Sequence, residues 1–349
     1  MGKDIAYGIG AGLVAALLFG VLLKASPLAI LLYLFAPLPI LIVGLGWSHR
    51  ASLAAAVSGA LALAVVISPY LGLAFAAYLA LPAWWLAYLA LLGRTGPDGT
   101  LEWYPTGRLL AWVAGTAALA FVAIAVIASP DHATFRAQIE QMSRRIVDMQ
   151  VQRGRIPPPA QGAAQGTGQG GTAPAPGASR PESGGGEASP EAPKAGDDIA
   201  GEVAGALAMV APALAAQGLA VLFTLYLWAA ARIVQVSGRL HRPWPDLPAT
   251  AMPRSVLLVL AGAVLLALAP GYVGMLGIAL IGALSAAFAL QGLAAFHDRS
   301  RGRPGRLALL IGLYVVLFLT QGVAMLALVL FGIADTALDR RRPQARGHA

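Results

Sequence analysis

The chain has 349 residues, of which 58% are hydrophobic and only 11% are charged. A soluble domain carries roughly a quarter charged residues, so this composition excludes an ordinary soluble globule. There is no cysteine, which excludes disulfides, thiolate nucleophiles and cysteine-ligated metals, and the net charge of +8 comes largely from arginines in short loops beside apolar runs, which argues against nucleic-acid binding.

Residues 1–129 form the first block, which contains five apolar runs. A helix needs about 20 apolar residues to cross the hydrocarbon core of a bilayer, and these runs approach or reach that length. Pro37 and Pro39 lie inside the second run and Pro82 inside the fourth, which predicts kinked or broken helices at these positions. The five runs are Ile5–Leu23, Leu28–Gly46, Ala51–Ile67, Leu71–Leu92 and Leu109–Ala128.

Residues 130–198 are of a different character. In residues 130–152, apolar side chains recur every three or four positions after Asp131, which is suited to cap a helix, and this pattern predicts one amphipathic helix. Residues 153–198 are rich in Gly, Pro, Ala, Ser and Gln and almost lack large apolar residues. Because such a segment cannot form a core, we predict a disordered linker.

The second block, residues 199–338, contains four further apolar runs and ends in a basic tail, residues 339–349. Pro270-Gly271 predicts a tight turn between its two middle runs. The sequence therefore predicts an all-α, polytopic transmembrane helical bundle of about nine spans, with the amphipathic helix outside the cytoplasm. The four runs are Ala204–Ala231, Val256–Ala269, Tyr272–Phe296 and Leu307–Ala334.

The loop arginines predict the orientation of the protein. A cytoplasmic N-terminus places nearly all of them on the cytoplasmic side, as the positive-inside rule requires, so we expect a multi-pass protein of the bacterial cytoplasmic (inner) membrane. The last run has arginines at both ends, so both ends favour the cytoplasm. One tilted helix or two short helices folded at residues 320–322 satisfy this pattern, and we prefer the folded form.

Three glutamines in apolar runs, each followed by glycine, are the candidate intramembrane polar site: Gln217, Gln291 and Gln321. An amide in hydrocarbon must find a hydrogen-bond partner, so these side chains either join helices or line a polar cavity. We favour the first interpretation, in which the glutamines join helices. Gly8, Ala11, Gly12 and Ala15 form a small-residue face on the first run, which permits close approach of a helix from a partner or from the same bundle.

The sequence offers no chemistry for catalysis or cofactor binding. The five histidines are scattered without metal-ligand spacing, and there is neither a phosphate-binding glycine-lysine loop nor a nucleophile elbow. No Asp or Glu lies deep inside a run, where it would indicate ion coupling. We therefore expect no enzyme activity, no metal, no cofactor and no nucleic-acid partner.

Three short motifs in the second block carry a family resemblance: Met252-Pro253-Arg254-Ser255, Gln291-Gly292-Leu293, and Gly332-Ile333-Ala334-Asp335 followed by Asp339-Arg340. With the plan of five spans, an external helix and a C-terminal block, they resemble the YybS-like family of bacterial membrane proteins, a domain of unknown function (DUF2232). That family is distantly similar to the substrate-binding subunits of energy-coupling-factor transporters. The resemblance implies a docking role for the Ala11 and Ala15 face towards a membrane-protein partner, and a cytoplasmic end motif at Gly332, Asp335, Asp339 and Arg340.

Two functional hypotheses follow. The first is a small-molecule-binding or transport-associated membrane protein without its own ATPase, whose ligand the sequence does not identify. The second is a non-catalytic scaffold or interaction protein of the cell envelope, suggested by the amphipathic helix and the long linker. In both, the bilayer is the immediate partner of the chain.

Overall fold

The computed structural model of the chain describes residues 2–24, 26–152, 195–320 and 322–338. Predictions for residues 153–194, Gln321, Asp339, Arg340 and the rest of the basic tail lie outside this part. The described residues are mainly helical. Their α-helices are α1 (Gly2–Gly20), α2 (Pro27–Leu34), α3 (Leu38–Gly46), α4 (His49–Val66), α5 (Pro69–Phe75), α6 (Leu81–Ala90), α7 (Thr106–Ala128), α8 (His132–Gln152), α9 (Ala195–Val236), α10 (Ser255–Leu266), α11 (Gly271–Arg299), α12 (Arg306–Thr320) and α13 (Gly322–Leu338).

The chain divides into two compact units. Unit 1 comprises Met1–Phe135 and Val210–Ala349, and unit 2 comprises Arg136–Met209. The main apolar core lies in unit 1, where large residues such as Phe75 and Phe288 are fully buried among many alanines. In the described part of unit 2, α9 begins at Ala195, so the last four residues of the predicted linker are helical.

Seven stretches of the described chain are helical, long enough and apolar enough to cross a membrane. Helices α10, α12 and α13 are apolar but shorter, with 12, 15 and 17 residues. The predicted count of nine spans therefore stays a prediction. The seven stretches are Gly2–Lys24, Pro27–Gly46, His49–Val66, Pro69–Ala90, Thr106–Ala128, Gly201–Val236 and Gly271–Arg299.

Irregular turns accompany the prolines of the second and fourth runs, where the sequence predicts kinked or broken helices. Pro37 precedes α3 and Pro39 occupies its first turn, so α2 and α3 are separate helices. Pro82 lies in the first turn of α6, directly after a π-helical turn at Ala76–Ala80 that separates it from α5. A proline lacks the backbone N–H that would continue the regular hydrogen-bond ladder.

Two further local predictions are confirmed. The Asp131 carboxylate caps α8, because its Oδ2 accepts a hydrogen bond from the Thr134 N–H at 3.0 Å. Gly271 adopts a positive φ of 70°, which a residue with a side chain rarely adopts, and it begins α11 after the turn that follows α10.

The all-α prediction is wrong in one place. A short antiparallel hairpin, β1 (Gly93–Thr95) and β2 (Leu101–Trp103), connects α6 to α7. Its turn contains Pro97-Asp98-Gly99, and Gly99 has a φ of 77°. Proline, aspartate and glycine in this order favour a tight reversal, so a turn signal is present in the sequence.

Many helix ends of unit 1 meet at one end of the unit. The Tyr7 ring near the start of α1 lies 5.6 Å from the Trp47 ring, and the Arg239 guanidinium lies 4.5 Å from the same ring. We call this the basic end, because the segments that meet there contain most of the loop arginines. They are Arg50, Arg94, Arg108, Arg232, Arg239, Arg242, Arg254, Arg299, Arg301, Arg303 and Arg306.

The last apolar run folds back on itself. Asp335 of α13 forms an ion pair with Arg299, which lies only seven residues before Arg306 at the start of α12. A continuous helix would separate Arg306 from Asp335 by about 43 Å, so the run must reverse direction between its two helices. Both ends of the run therefore lie at the basic end.

Candidate functional site

A buried polar cluster joins α11, α13 and the segment before α10 at the basic end; we call it the amide cluster. The Gln291 side chain is fully buried at its centre. Its Oε1 accepts a hydrogen bond from the Met252 N–H at 2.9 Å, and its Nε2 donates to Asp335 Oδ2 at 3.0 Å and to Thr336 Oγ1 at 2.8 Å. Arg299 Nη2 donates to Asp335 Oδ1 at 3.1 Å and completes the cluster.

The amide cluster satisfies its own polar groups. The Thr336 hydroxyl donates to the Gly332 carbonyl at 2.9 Å, and the Asp335 side chain, only 1% exposed, faces the Arg299 guanidinium. A buried carboxylate is strongly destabilising without such a partner. Because a polar network with satisfied groups is rigid, this geometry favours a positioning role over direct ligand binding.

Two glycines allow α11 and α13 to approach closely enough for these hydrogen bonds. A Cβ atom on Gly292 would lie 2.2 Å from the Leu328 carbonyl oxygen, and one on Gly332 would lie 2.0 Å from the Phe288 carbonyl oxygen. Both distances are far below van der Waals contact, so neither position accommodates a larger residue without separating the helices. This explains why Gly332 accompanies Asp335 in the end motif.

Of the two predicted glutamines that the structure describes, Gln291 belongs to this cluster and Gln217 does not. Gln217 is half-buried in α9 and takes no part in the hydrogen bonds of Gln291. Gln321, like Asp339 and Arg340, lies outside the described residues. Gln291 therefore links α11 to α13 through hydrogen bonds.

The small-residue face of α1 packs inside the chain. A Cβ atom on Gly8 would lie 2.2 Å from the Ala51 carbonyl oxygen of α4, and one on Gly12 would lie 2.2 Å from that of Ala55. Ala15 is fully buried, whereas Ala11 is half-buried. A partner-docking role for this face stays a prediction, and it would require α1 to leave α4.

A cavity of about 510 Å³ lies at the basic end beside the amide cluster. We call it the basic-end pocket. We call the connection between α9 and α10, residues 237–254, the cover loop. The wall of the pocket combines helix residues with eight residues of the cover loop between positions 240 and 250. The lining residues are Leu45, Ala90, Leu91, Thr106, Leu109, Leu110, Val113, Thr224, Leu227, Trp228, Ala231, Leu240, Arg242, Pro243, Trp244, Pro245, Leu247, Pro248, Thr250, Leu290, Leu293, Ala294 and His297.

Arg242 is the arginine in the wall of this pocket. It is half-buried, and its Nη1 donates to the Ala90 carbonyl oxygen at 3.0 Å. Burial lowers the pKa of the Arg242 guanidinium, and no carboxylate in the described part of the chain forms an ion pair with it. The group nevertheless stays charged at neutral pH, because an arginine is effectively always protonated in proteins.

Several contacts hold the cover loop over the pocket. Asp246 forms an ion pair with Arg301 of the α11–α12 connection, and this contact lowers the pKa of the Asp246 carboxyl. The Arg232 guanidinium lies 5.0 Å from the centre of the Trp244 ring, a cation–π distance. At the other end of the loop, Gln291 binds the Met252 N–H.

The sequence did not identify this pocket. Arg242 counts in the sequence only as one of the loop arginines that predict the orientation. The signal that was available is the segment Arg242-Pro243-Trp244-Pro245, which combines a cation and an aromatic ring with two rigid prolines. Among the described residues, no group of three His, Cys, Asp or Glu side chains could hold a metal ion.

One protein family matches the chain, over residues 183–336, and it is described as "Predicted membrane protein (DUF2232)". The matched stretch includes every member of the amide cluster and the cover loop. Its description agrees with the apolar, membrane-length helices and assigns no activity. No curated protein and no solved structure matches the chain.

Proposed function

We propose that the protein is a membrane-embedded binding protein, associated with transport and without its own ATPase, that holds a small, largely apolar molecule in the basic-end pocket. The volume of this pocket, about 510 Å³, carries the proposal. Ligand sites occupy roughly 300–1,000 Å³ and are lined mainly by apolar side chains with a few polar groups. The basic-end pocket has both properties.

The proposal is tested by binding to the purified protein in neutral detergent. A ligand that binds only the folded state raises its unfolding temperature in a concentration-dependent manner. We expect such a shift with a set of vitamins, nucleobases and lipid precursors. Its absence across the whole set would count against the proposal.

A pocket-filling variant makes the test specific for this site. Ala231→Trp places a large ring in the wall of the pocket, so it should abolish the ligand-induced shift. Ala261 is exposed on α10, and Ala261→Trp is the matched control, which should retain the shift. Equal shifts in both variants would mean that the ligand binds elsewhere.

We further propose that the protein lies in the cytoplasmic membrane with its N-terminus and basic end in the cytoplasm, where loop arginines are enriched. The natural absence of cysteine permits labelling of single introduced cysteines. Ser237→Cys marks the basic end, and Tyr70→Cys marks the opposite end, at the start of α5. In spheroplasts, an impermeant maleimide should label position 70 directly and position 237 only after permeabilisation; the reverse pattern would refute this orientation.

A second candidate function is a scaffold of the cell envelope, which α8 favours. This helix has exposed apolar side chains at Met142, Ile146 and Met149, with exposed fractions of 66%, 40% and 48%. If these residues bind a partner, replacing all three with Glu should remove crosslinked complexes in cells. Replacing Gln141, Arg144 and Asp148 with Glu changes the net charge equally on another exposed face of α8, and should leave the complexes in place. An unchanged crosslinking pattern in both variants would argue against the scaffold.

A further inference from the structure

We infer that the ligand of the basic-end pocket is an anionic amphiphile, whose carboxylate or phosphate is bound by the Arg242 guanidinium and whose apolar chain lies along the walls formed by α7, α9 and α11. This inference rests on the proposed function, because it names the chemical class that the same pocket takes. Three observations carry it: the charge balance of Arg242, the state of the other polar groups in the wall, and the depth of the pocket.

Arg242 differs from three other arginines of the basic end. Arg94, Arg299 and Arg301 each form an ion pair, with Glu102, Asp335 and Asp246 respectively. Within the described chain, Arg242 makes no ion pair, and its protein acceptor is the neutral Ala90 carbonyl. A cation that is half-buried in an apolar wall is costly unless an anion accompanies it.

The threonine and histidine side chains of the wall are engaged within the protein. The hydroxyls of Thr106 and Thr250 lie 3.3 Å from each other, and the Thr224 hydroxyl donates to the Ala220 carbonyl at 2.8 Å. His297 Nδ1 lies 2.9 Å from the Leu293 carbonyl oxygen, which can only accept, so this nitrogen carries the proton.

Arg242 therefore supplies the positive charge and the N–H donors that the threonine and histidine side chains do not offer to a ligand. A guanidinium has five N–H donors in a planar fork that matches a carboxylate or phosphate, and the bond to Ala90 uses one of its nitrogens. A neutral apolar ligand would leave that charge uncompensated. An anionic head group would pair with it directly.

The depth of the pocket indicates the second part of the ligand, an apolar chain. Val113 lies seven residues from the start of α7, Leu290 nine residues from the end of α11, and Thr224 twelve residues from the end of α9. At 1.5 Å per residue, these positions lie roughly 10–18 Å along their helices from the basic end. The side chains between are mainly leucine, valine and alanine, which suit a hydrocarbon chain.

The experiment uses photoreactive probes with the full chain in nanodiscs of zwitterionic lipid. A diazirine-bearing fatty acid, the alkyl phosphate of the same chain length and the corresponding neutral alcohol are compared, and crosslinked peptides are mapped. We expect the two anionic probes to label peptides of the pocket wall at concentrations about tenfold to a hundredfold lower than the alcohol requires, because a charge-assisted pair is worth about 1.5–3 kcal/mol.

Arg242→Gln should remove this preference for anions and leave labelling by the alcohol unchanged, whereas Arg242→Lys should retain part of the preference. Arg303→Gln is the matched control, since Arg303 is exposed at the basic end and lies outside both the pocket wall and the contacts that hold the cover loop. An equal unfolding temperature of the variants shows that they are folded. If Arg242→Gln does not fold, the comparison of the fatty acid with the alcohol on the natural chain still tests whether the pocket prefers an anion.

The outcomes separate the two proposals. Equal labelling by acid, phosphate and alcohol at the pocket wall would overturn the anionic class and leave the binding function standing. No labelling of the pocket wall by any probe would overturn both. Competition by added phosphatidylglycerol would identify a bilayer lipid as the source of the anionic group, and its failure to compete would identify a free single-chain amphiphile; both results support the inference.

Discussion

The substitution Gln291→Leu tests the amide cluster, because it removes the amide and keeps a side chain of similar size. It leaves the buried Met252 N–H without its acceptor and takes one donor from Asp335. An unsatisfied buried donor costs about 1–3 kcal/mol, and a hydrogen bond to a charged group contributes about 1.5–3 kcal/mol. Since leucine recovers part of this through apolar contacts, we expect a net destabilisation of about 2–4 kcal/mol.

The chain offers a matched control for this variant. Gln217 is followed by the same Gly-Leu-Ala sequence as Gln291 but is half-buried, and the described structure gives its side chain no hydrogen bond. Thermal unfolding in neutral detergent at one scan rate should show a midpoint lower by roughly 3–5 °C for Gln291→Leu, and little change for Gln217→Leu. An equal decrease of the unfolding midpoint in the two variants would refute the stabilising role that we assign to the hydrogen bonds of Gln291.

Two other predictions concern helix contact and the cover loop. Gly332→Ala should destabilise the protein by about 1–3 kcal/mol, because its Cβ would meet the Phe288 carbonyl, whereas Gly312→Ala, in open space on α12, should be neutral or stabilising in the same thermal assay. Asp246→Asn should speed amide exchange of the cover loop at pH 7. Because Arg301 lowers the pKa of the Asp246 carboxyl in the folded state, this contact stabilises the cover loop at neutral pH and is lost as the pH falls below about 4. The exchange rates are corrected for the intrinsic effect of pH. Corrected rates that stay constant over this range would contradict a role of the pair in holding the loop.

Local features of the fold were predictable where a single residue type decides the backbone. Pro37 and Pro39 separate two helices, Asp131 caps α8, and Gly271 turns the chain into α11. In each case the cause lies within a few residues of the effect. The hairpin after α6 was missed although its Pro-Asp-Gly turn is local, because its strands are only three residues each.

The site was less predictable, because its parts come from distant positions in the chain. Gln291 was identified as a polar group that needs a partner, but nothing near it in sequence indicates that Met252 and Asp335 supply one. Met252, Gln291 and Asp335 each belong to one of the three motifs that carried the family resemblance, and the structure brings these three residues together. The role of Arg242 depends on how the cover loop folds over the helices, and a loop rich in proline has no periodicity to predict that.

The amide cluster and the basic-end pocket are mechanically connected through the cover loop. Leu247, Pro248 and Thr250 line the pocket, and two residues later the Met252 N–H is held by Gln291, which does not line it. A Cβ atom on Gly107 would lie 1.8 Å from the Ala251 carbonyl oxygen, so the loop between these points packs directly on the first turn of α7.

The amide of Gln291 thus fixes the cover loop near its α10 end, while the Asp246–Arg301 pair fixes its middle. If the cluster positions the pocket wall, Gln291→Leu should weaken binding of an amphiphilic probe at temperatures where the variant is still folded, although no pocket residue has changed. Gln217→Leu should bind as the natural chain does. A folded Gln291→Leu protein with unaltered probe affinity would show that the cluster serves stability alone, and that the pocket wall is held by its other contacts.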